Sequence, residues 1–329
     1  MRRAMLCVAS AVLAAGCGGA NAGAPPAASP TGAQVQNAPS PAAPAKAIDA
    51  NAIGSITGGK PEQADAAVKV SFPRTDVQVE VDGWTGVPPF MGLTSWAAFT
   101  PGEKPGVDAM VMGDLVLFED EVNPVMSALL EHGVEVTALH NHFFYDKPHV
   151  LFMHIGGEGT ADGLAKGVRA ALDAEKSVRA KAPQPPATFG AGPVVTPSHI
   201  DAAKLDAAFG IKGTAKDGMY KGTFGRKATA ACGCTVGKAM GVNTWAAFAG
   251  SEESAAVDGD FAVTEEELQP VLKALRAGGI NVVAIHHHMT GEHPRILFLH
   301  YWGRGPAAQL AKVVKGAVDL TAWDGKTTP

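Results

Sequence analysis

The chain has 329 residues, 46% of them apolar and 18% charged, with a formal net charge of −5. That length supports about two domains at roughly 150 residues each, and the composition supports a packed core rather than a disordered chain. The mildly acidic balance excludes a basic nucleic-acid-binding surface, the longest apolar run is too short for a channel or transporter, and four cysteines are too few for a disulfide-rich scaffold.

Residues 1–17 read as an export signal. Arg2 and Arg3 supply the positive end, Ala4 to Ala15 the short apolar stretch, and small residues precede Cys17. Leu13-Ala14-Ala15-Gly16-Cys17 has the pattern of a bacterial lipobox, which makes Cys17 the expected lipidation site. Residues 18–47 are mostly Ala, Pro, Ser, Gly, Asn, Gln and Thr. Such a stretch cannot bury a core and reads as a disordered tether. The expectation is a lipid-anchored, extracytoplasmic protein of the cell envelope, facing the periplasm from the outer membrane in a diderm. The lipid anchor would be its only contact with membrane.

The body of the chain repeats itself. Thr94-Ser95-Trp96-Ala97-Ala98-Phe99 returns as Asn243-Thr244-Trp245-Ala246-Ala247-Phe248, and Gly113-Asp114 returns as Gly259-Asp260. From Gly113 to His154 the offset is a constant 146, as from His140 to His286; further upstream it is 152, as from Ile48 to Ile200 and from Arg74 to Arg226. This divides the body into repeat one (48–182), a Pro/Gly-rich linker (183–197) and repeat two (198–324).

In chain order, each repeat opens with a short helix, at Ile48 or after Ser198 as N-cap. Strands are predicted over 77–81, 96–99 and 110–118, then a helix from Pro124 to His132 stopped by Gly133. Two strands follow, 134–142 and 149–155, joined by a short loop, and an amphipathic helix covers 160–180. The order βαββα predicts an α+β fold of two tandem ferredoxin-like sandwiches, packed as a pseudo-symmetric pair. On the strand 134–142, alternation puts Val134, Val136, Ala138, His140 and His142 on one face. That apolar surface is expected to be buried against the partner repeat, with the histidines at its rim.

The chemistry-bearing pattern is H-x-H-x11-H, present as His140, His142 and His154 and again as His286, His288 and His300. Residues i and i+2 of a strand share a face, and an antiparallel return strand can bring the third imidazole beside them. Three neutral imidazoles with an open position suit a divalent transition metal, zinc first and copper or iron next. Hydrogen-bonded structural histidines are the alternative. Asp114 and Asp260 sit mid-strand, where they can ligate a metal, orient a histidine or act as a general base; a buried carboxylate satisfied by backbone is the other reading. Glu119, Glu121, Glu265 and Glu267 read as helix-dipole partners. Trp96, Phe99, Trp245 and Phe248 read as core rather than as a substrate platform, and Arg74 and Arg226 as surface ion pairs rather than as holders of an anionic ligand. Cys232 and Cys234 are open to three states: free thiols, a soft-metal site or a disulfide.

These motifs resemble the LppY/LpqO-like family of bacterial envelope lipoproteins. The resemblance rests on Trp-Ala-Ala-Phe, Gly-Asp and Ala-Leu-His-Asn-His in repeat one and on Ile-His-His-His and Phe-Leu-His-Tyr-Trp-Gly in repeat two. It implies tandem copies of a domain of unknown function and assigns no catalytic roles. Three functions stand: a metal-binding lipoprotein, a metal-dependent envelope hydrolase with Asp114 or Asp260 as base, and a non-catalytic interaction module with structural histidines.

Overall fold

The computed structural model describes residues 47–325. The expected signal peptide, Cys17 and all but the last residue of the tether lie outside the described residues. Repeat one contributes α1 (Ala50–Thr57), β1 (Pro61–Ala64), β2 (Ala67–Pro73), β3 (Thr94–Pro101), β4 (Ala109–Phe118), α2 (Glu119–Glu131), β5 (Glu135–His140), β6 (Val150–Gly159) and α3 (Ala161–Lys181). Repeat two contributes α4 (Ala202–Phe209), β7 (Thr214–Lys216), β8 (Met219–Gly225), β9 (Asn243–Gly250), β10 (Ala255–Val263), α5 (Glu265–Ala277), β11 (Asn281–His286), β12 (Leu297–Gly305) and α6 (Ala307–Val318).

These twelve strands form one sheet in the order β1-β2-β3-β4-β6-β5-β11-β12-β10-β9-β8-β7, with every pairing antiparallel. The expectation of two ferredoxin-like sandwiches packed face to face is therefore wrong. Each repeat carries an additional hairpin (β1–β2, β7–β8) that widens its sheet. Each also leaves one edge strand, β5 or β11, without an outer partner in its own repeat. The two edges pair with each other. Their contact is Leu139 opposite Ile285, residues that occupy the same position in the two copies. A pseudo-twofold axis thus passes through the seam.

The local signals explain the element boundaries. Asp49 and Asp201, not Ser198, cap α1 and α4, each accepting two backbone N–H groups with its carboxylate. Ser198 instead accepts a hydrogen bond from the Gly250 N–H. Helix α2 starts five residues before Pro124 because β4 runs straight into it: the Glu121 carboxylate accepts the Phe118 N–H and closes a capping arrangement.

The core lies on one face of the sheet under the helices. It runs unbroken through both repeats, from Ile53, Met126 and Val168 to Leu205, Leu272 and Val314. A β-bulge decides which residues join it. The register of β5 against β6 shifts between Val136 and Ala138, and that of β11 against β12 shifts between Val282 and Ala284. One extra residue reverses the alternation. Val134, Val136, Ile280 and Val282 therefore turn toward the helices and are buried there, while Ala138 and His140 stay on the other face. The apolar set expected to need a cover beside the histidines is split between two faces, so no sheet-on-sheet packing is required.

The seam is completed by side-chain amides. Asn123 of α2 donates from Nδ2 to the Val282 carbonyl (3.3 Å) and accepts the Val282 N–H at Oδ1 (2.8 Å). Gln269 of α5 does the same to Val136, at 2.9 and 3.1 Å. Asn123 and Gln269 are equivalent residues, so each repeat clamps the bulged strand of the other.

The second face carries no α-helices, only loops with short 3-10 turns. Its outer end in repeat one is covered by loop residues Val77, Val79, Val87 and Leu93, packed on Val116, Phe118, Val150 and Phe152. Ala228, Val236 and Val242 cover Ala262, Ile296 and Phe298 in repeat two. Among the described residues no helix is long and apolar enough to cross a membrane.

Candidate metal centre

The histidines and aspartates gather on the helix-free face, beside the loop-covered ends. In repeat one, His154 of β6 lies directly between Asp114 of β4 and Ala138 of β5. Same-face neighbours on adjacent strands meet, and His140, two residues beyond Ala138, stacks on His154 with ring centroids 5.1 Å apart. His142 lies past the end of β5, not within the strand, and folds back so that its Nε2 is 3.2 Å from that of His140. Repeat two reproduces this: Asp260 opposite His300, His300 opposite Ala284, and His286 stacked on His300 at 4.9 Å.

In repeat two the donor atoms of Asp260, His286 and His288 all lie within 4.8 Å of one another. The closest approach to the carboxylate is His288 Nε2 to Asp260 Oδ2, 3.6 Å, near the ~3.3 Å edge of a tetrahedron built on ~2.0 Å bonds. Among the described residues this is the one three-residue group that meets that criterion. The two centres are alike in topology, and the second is the tighter.

The electrostatics suit ligands for a cation. Asp114 Oδ1, His140 Nδ1, Asp260 Oδ1 and His286 Nε2 are buried and have no hydrogen-bond partner. Buried polar atoms are normally satisfied, so the unpartnered carboxylate oxygen at the same position in both copies leaves each aspartate able to accept a ligand. Burial pushes the Asp260 carboxyl up to about 7 against the opposing pull of His300, and raises Asp114 as well. Burial holds His140, His142, His286 and His288 below the ordinary imidazole range, which keeps their lone pairs available at neutral pH. His300 Nδ1 is 3.3 Å from the Gly259 carbonyl. Donation to that carbonyl leaves Nε2 as the free lone pair. The residues fit a divalent cation held by imidazole and carboxylate.

Several residues in the pattern carried signals the sequence reading did not use. Phe152 and Phe298, two positions before His154 and His300, stack on His142 and His288 with centroids 3.4 Å apart and fix the loop imidazoles. Their equal offset and parity were visible. Trp96 and Trp245 are not core: they pair with Asp114 and Asp260 on the helix-free face, while Phe99 and Phe248 alternate into the core. Lys69 and Lys221, also equivalent, lie over these indoles at 4.5 and 3.7 Å. The glycine of Gly-Asp has a packing reason in repeat two. A Cβ at Gly259 would meet the Tyr301 hydroxyl at 2.2 Å.

Other expectations resolve elsewhere. Arg74 and Arg226 are buried, not surface residues. Arg74 forms a two-pronged pair with Glu121 at 2.9 and 3.0 Å, and Arg226 pairs with Glu267. Glu121 is fully buried and also lies 2.7 Å from Arg179, so helix-dipole placement is only part of its role. Cys232 and Cys234 form a disulfide with each other in an exposed loop. His149 pairs with Asp146 at 3.0 Å, and His287 accepts from Arg295 at 3.0 Å.

Comparison with known proteins gives one solved structure, a trimeric bacterial microcompartment shell protein PduB. It aligns over 79% of this chain and 89% of its own at 14% identity, with a TM-score of 0.17, a likeness that carries no argument about fold or function. No curated protein matches. A family profile matches the chain twice, over residues 51–174 and 203–320. These spans contain both histidine–aspartate clusters, and the chain belongs, in two tandem copies, to the family described as Domain of Unknown Function (DUF1259).

Proposed function

We propose that this protein is an extracytoplasmic, lipid-anchored metal-binding protein of the LppY/LpqO-like type. Its principal centre is formed by Asp260, His286, His288 and His300, and a second centre is formed by Asp114, His140, His142 and His154. The observation that carries the reading is the convergence of Asp260, His286 and His288, whose donor atoms all lie within 4.8 Å of one another. Zinc is the first candidate, because imidazole with one carboxylate is a common zinc donor set, with copper or iron next. Asp260 converges with the histidines, which favours a role as ligand over one as free general base. Binding is therefore preferred to hydrolysis. The anchor and envelope location rest on the pattern of residues 1–47.

The test is elemental analysis of untagged protein, before and after His286, His288 and His300 are replaced by Ala. About one equivalent of metal is expected to disappear with the triple substitution. Equal, negligible metal in both samples after incubation with zinc would refute the reading.

A further inference from the structure

Beside the repeat-two centre, the helix-free face holds a groove of about 630 Å³, within the range of small-molecule sites. One row of same-face residues crosses it: Thr214, Lys221, Ala247, Asp258 and Trp302, each opposite the next on adjacent strands. The adjoining row carries Trp245, Asp260 and His300, so the groove begins one same-face step, about 7 Å, from the metal centre. The floor is small, with Ala247, Ala249 and Ala256, and Trp302 forms one wall. Val194 of the inter-repeat linker also lines it. Arg304 holds that linker through the Gly192 and Pro193 carbonyls, at 3.0 and 3.3 Å.

The comparison with repeat one shows what is special here. Repeat one keeps the equivalents of Lys221 and Ala247, as Lys69 and Ala98. It has Ala64 where repeat two has Lys216, Met112 in place of Asp258 and Gly156 in place of Trp302. The aromatic wall and the additional cation are thus confined to the copy with the tighter metal centre. Lys216 and Lys221 against Asp258 leave the rim with one net positive charge, which favours a monoanion over a cation.

We infer that this groove is a binding site for a small aryl carboxylate, its ring lying on the alanine floor against Trp302 and its carboxylate toward Lys216 and Lys221. The inference does not depend on whether the neighbouring centre holds a metal. It predicts that the two copies have diverged, repeat two alone taking the ligand.

The probe is 2-naphthoate, titrated calorimetrically into the full chain in the presence of chelator. Saturable binding at one site per chain is expected. Trp302→Gly and Lys216→Ala, which each introduce the residue repeat one carries, should weaken it at least tenfold, while Trp302→Phe should stay within about threefold. Neutral 2-naphthamide should bind at least tenfold more weakly than the carboxylate. Absence of saturable binding, undiminished binding by Trp302→Gly, or amide binding equal to carboxylate binding would each overturn the inference. The two readings separate cleanly. His286→Ala should lose metal and keep naphthoate affinity within twofold, and Lys216→Ala should keep its metal. Naphthoate binding without metal would sink only the metal proposal, and metal without naphthoate binding only this one.

Discussion

Removing the Asn123 amide tests whether the two repeats share one sheet. Asn123→Ala would strip the Val282 N–H and carbonyl of their partners across the seam, bonds of 2.8 and 3.3 Å. Val282 is 1% exposed and Asn123 5%, so water replaces the lost bonds poorly. An unsatisfied buried polar group costs about 1–3 kcal/mol, and two of them with partial relaxation give about 2–4 kcal/mol. Gln269→Ala removes the equivalent pair on Val136 but from a half-buried side chain, so about 1–3 kcal/mol is expected. An alanine at exposed Glu131 on the same helix should stay within about 0.5 kcal/mol. Urea unfolding at equilibrium reads all three, and hydrogen exchange at the Val282 and Val136 amides should accelerate in the matching variant only. If both amide variants lost less than 0.5 kcal/mol with protection unchanged, the clamp would be incidental and the repeats would be held by other contacts.

Three further outcomes follow from the same structure. Repeat one expressed alone over residues 47–182 exposes the β5 edge; because Leu139 pairs with its own equivalent, Ile285, the fragment should dimerise through that edge, and a stable monomer in sedimentation would contradict the pseudo-twofold seam. Glu121→Ala should cost about 3 kcal/mol, the low end for breaking a buried pair, because buried Arg74 and Arg179 lose their shared carboxylate while Arg74 keeps Asp76 and Glu175 and Arg179 keeps Asp120; a loss below about 1 kcal/mol in urea unfolding would refute it. In chelated protein, Asp260 and Glu175 are both pushed up to about 7 by burial, whereas the unfolded chain releases these protons near pH 4. Asp260 and Glu175 therefore contribute stability that is lost as pH rises from about 4 to 7, while His140, His142, His286 and His288, held below the ordinary imidazole range, act in the opposite sense, so the Asp260 contribution is read as a difference between parent and variant. Melting temperatures at constant ionic strength check this: Asp260→Asn should gain on the parent as pH rises from about 4 to 7, and a parent-to-variant difference that stays constant across that window would show the assignment to be wrong.

The sequence alone determined what repetition and alternation can carry. Two copies in one chain made the kept residues visible, so His140, His142, His154 and Asp114 could be set beside His286, His288, His300 and Asp260 without any relative. Period-two geometry was enough to expect His140 and His154 on one face, and the structure places them there. The aspartates could be named but not located, because nothing local says which strand neighbours which. Tertiary structure decided the rest. A one-residue bulge at the start of β5 and β11 moved four apolar residues to the helix face; a bulge depends on the register of the partner strand, which leaves no mark in the bulged segment. The pairing of the two edge strands is a contact between residues 146 positions apart (Leu139 to Ile285), and no local propensity encodes it. Arg74 and Arg226 look like surface residues until a buried glutamate is found opposite, because the burial of a charge is set by the neighbours that surround it and not by its own chemistry.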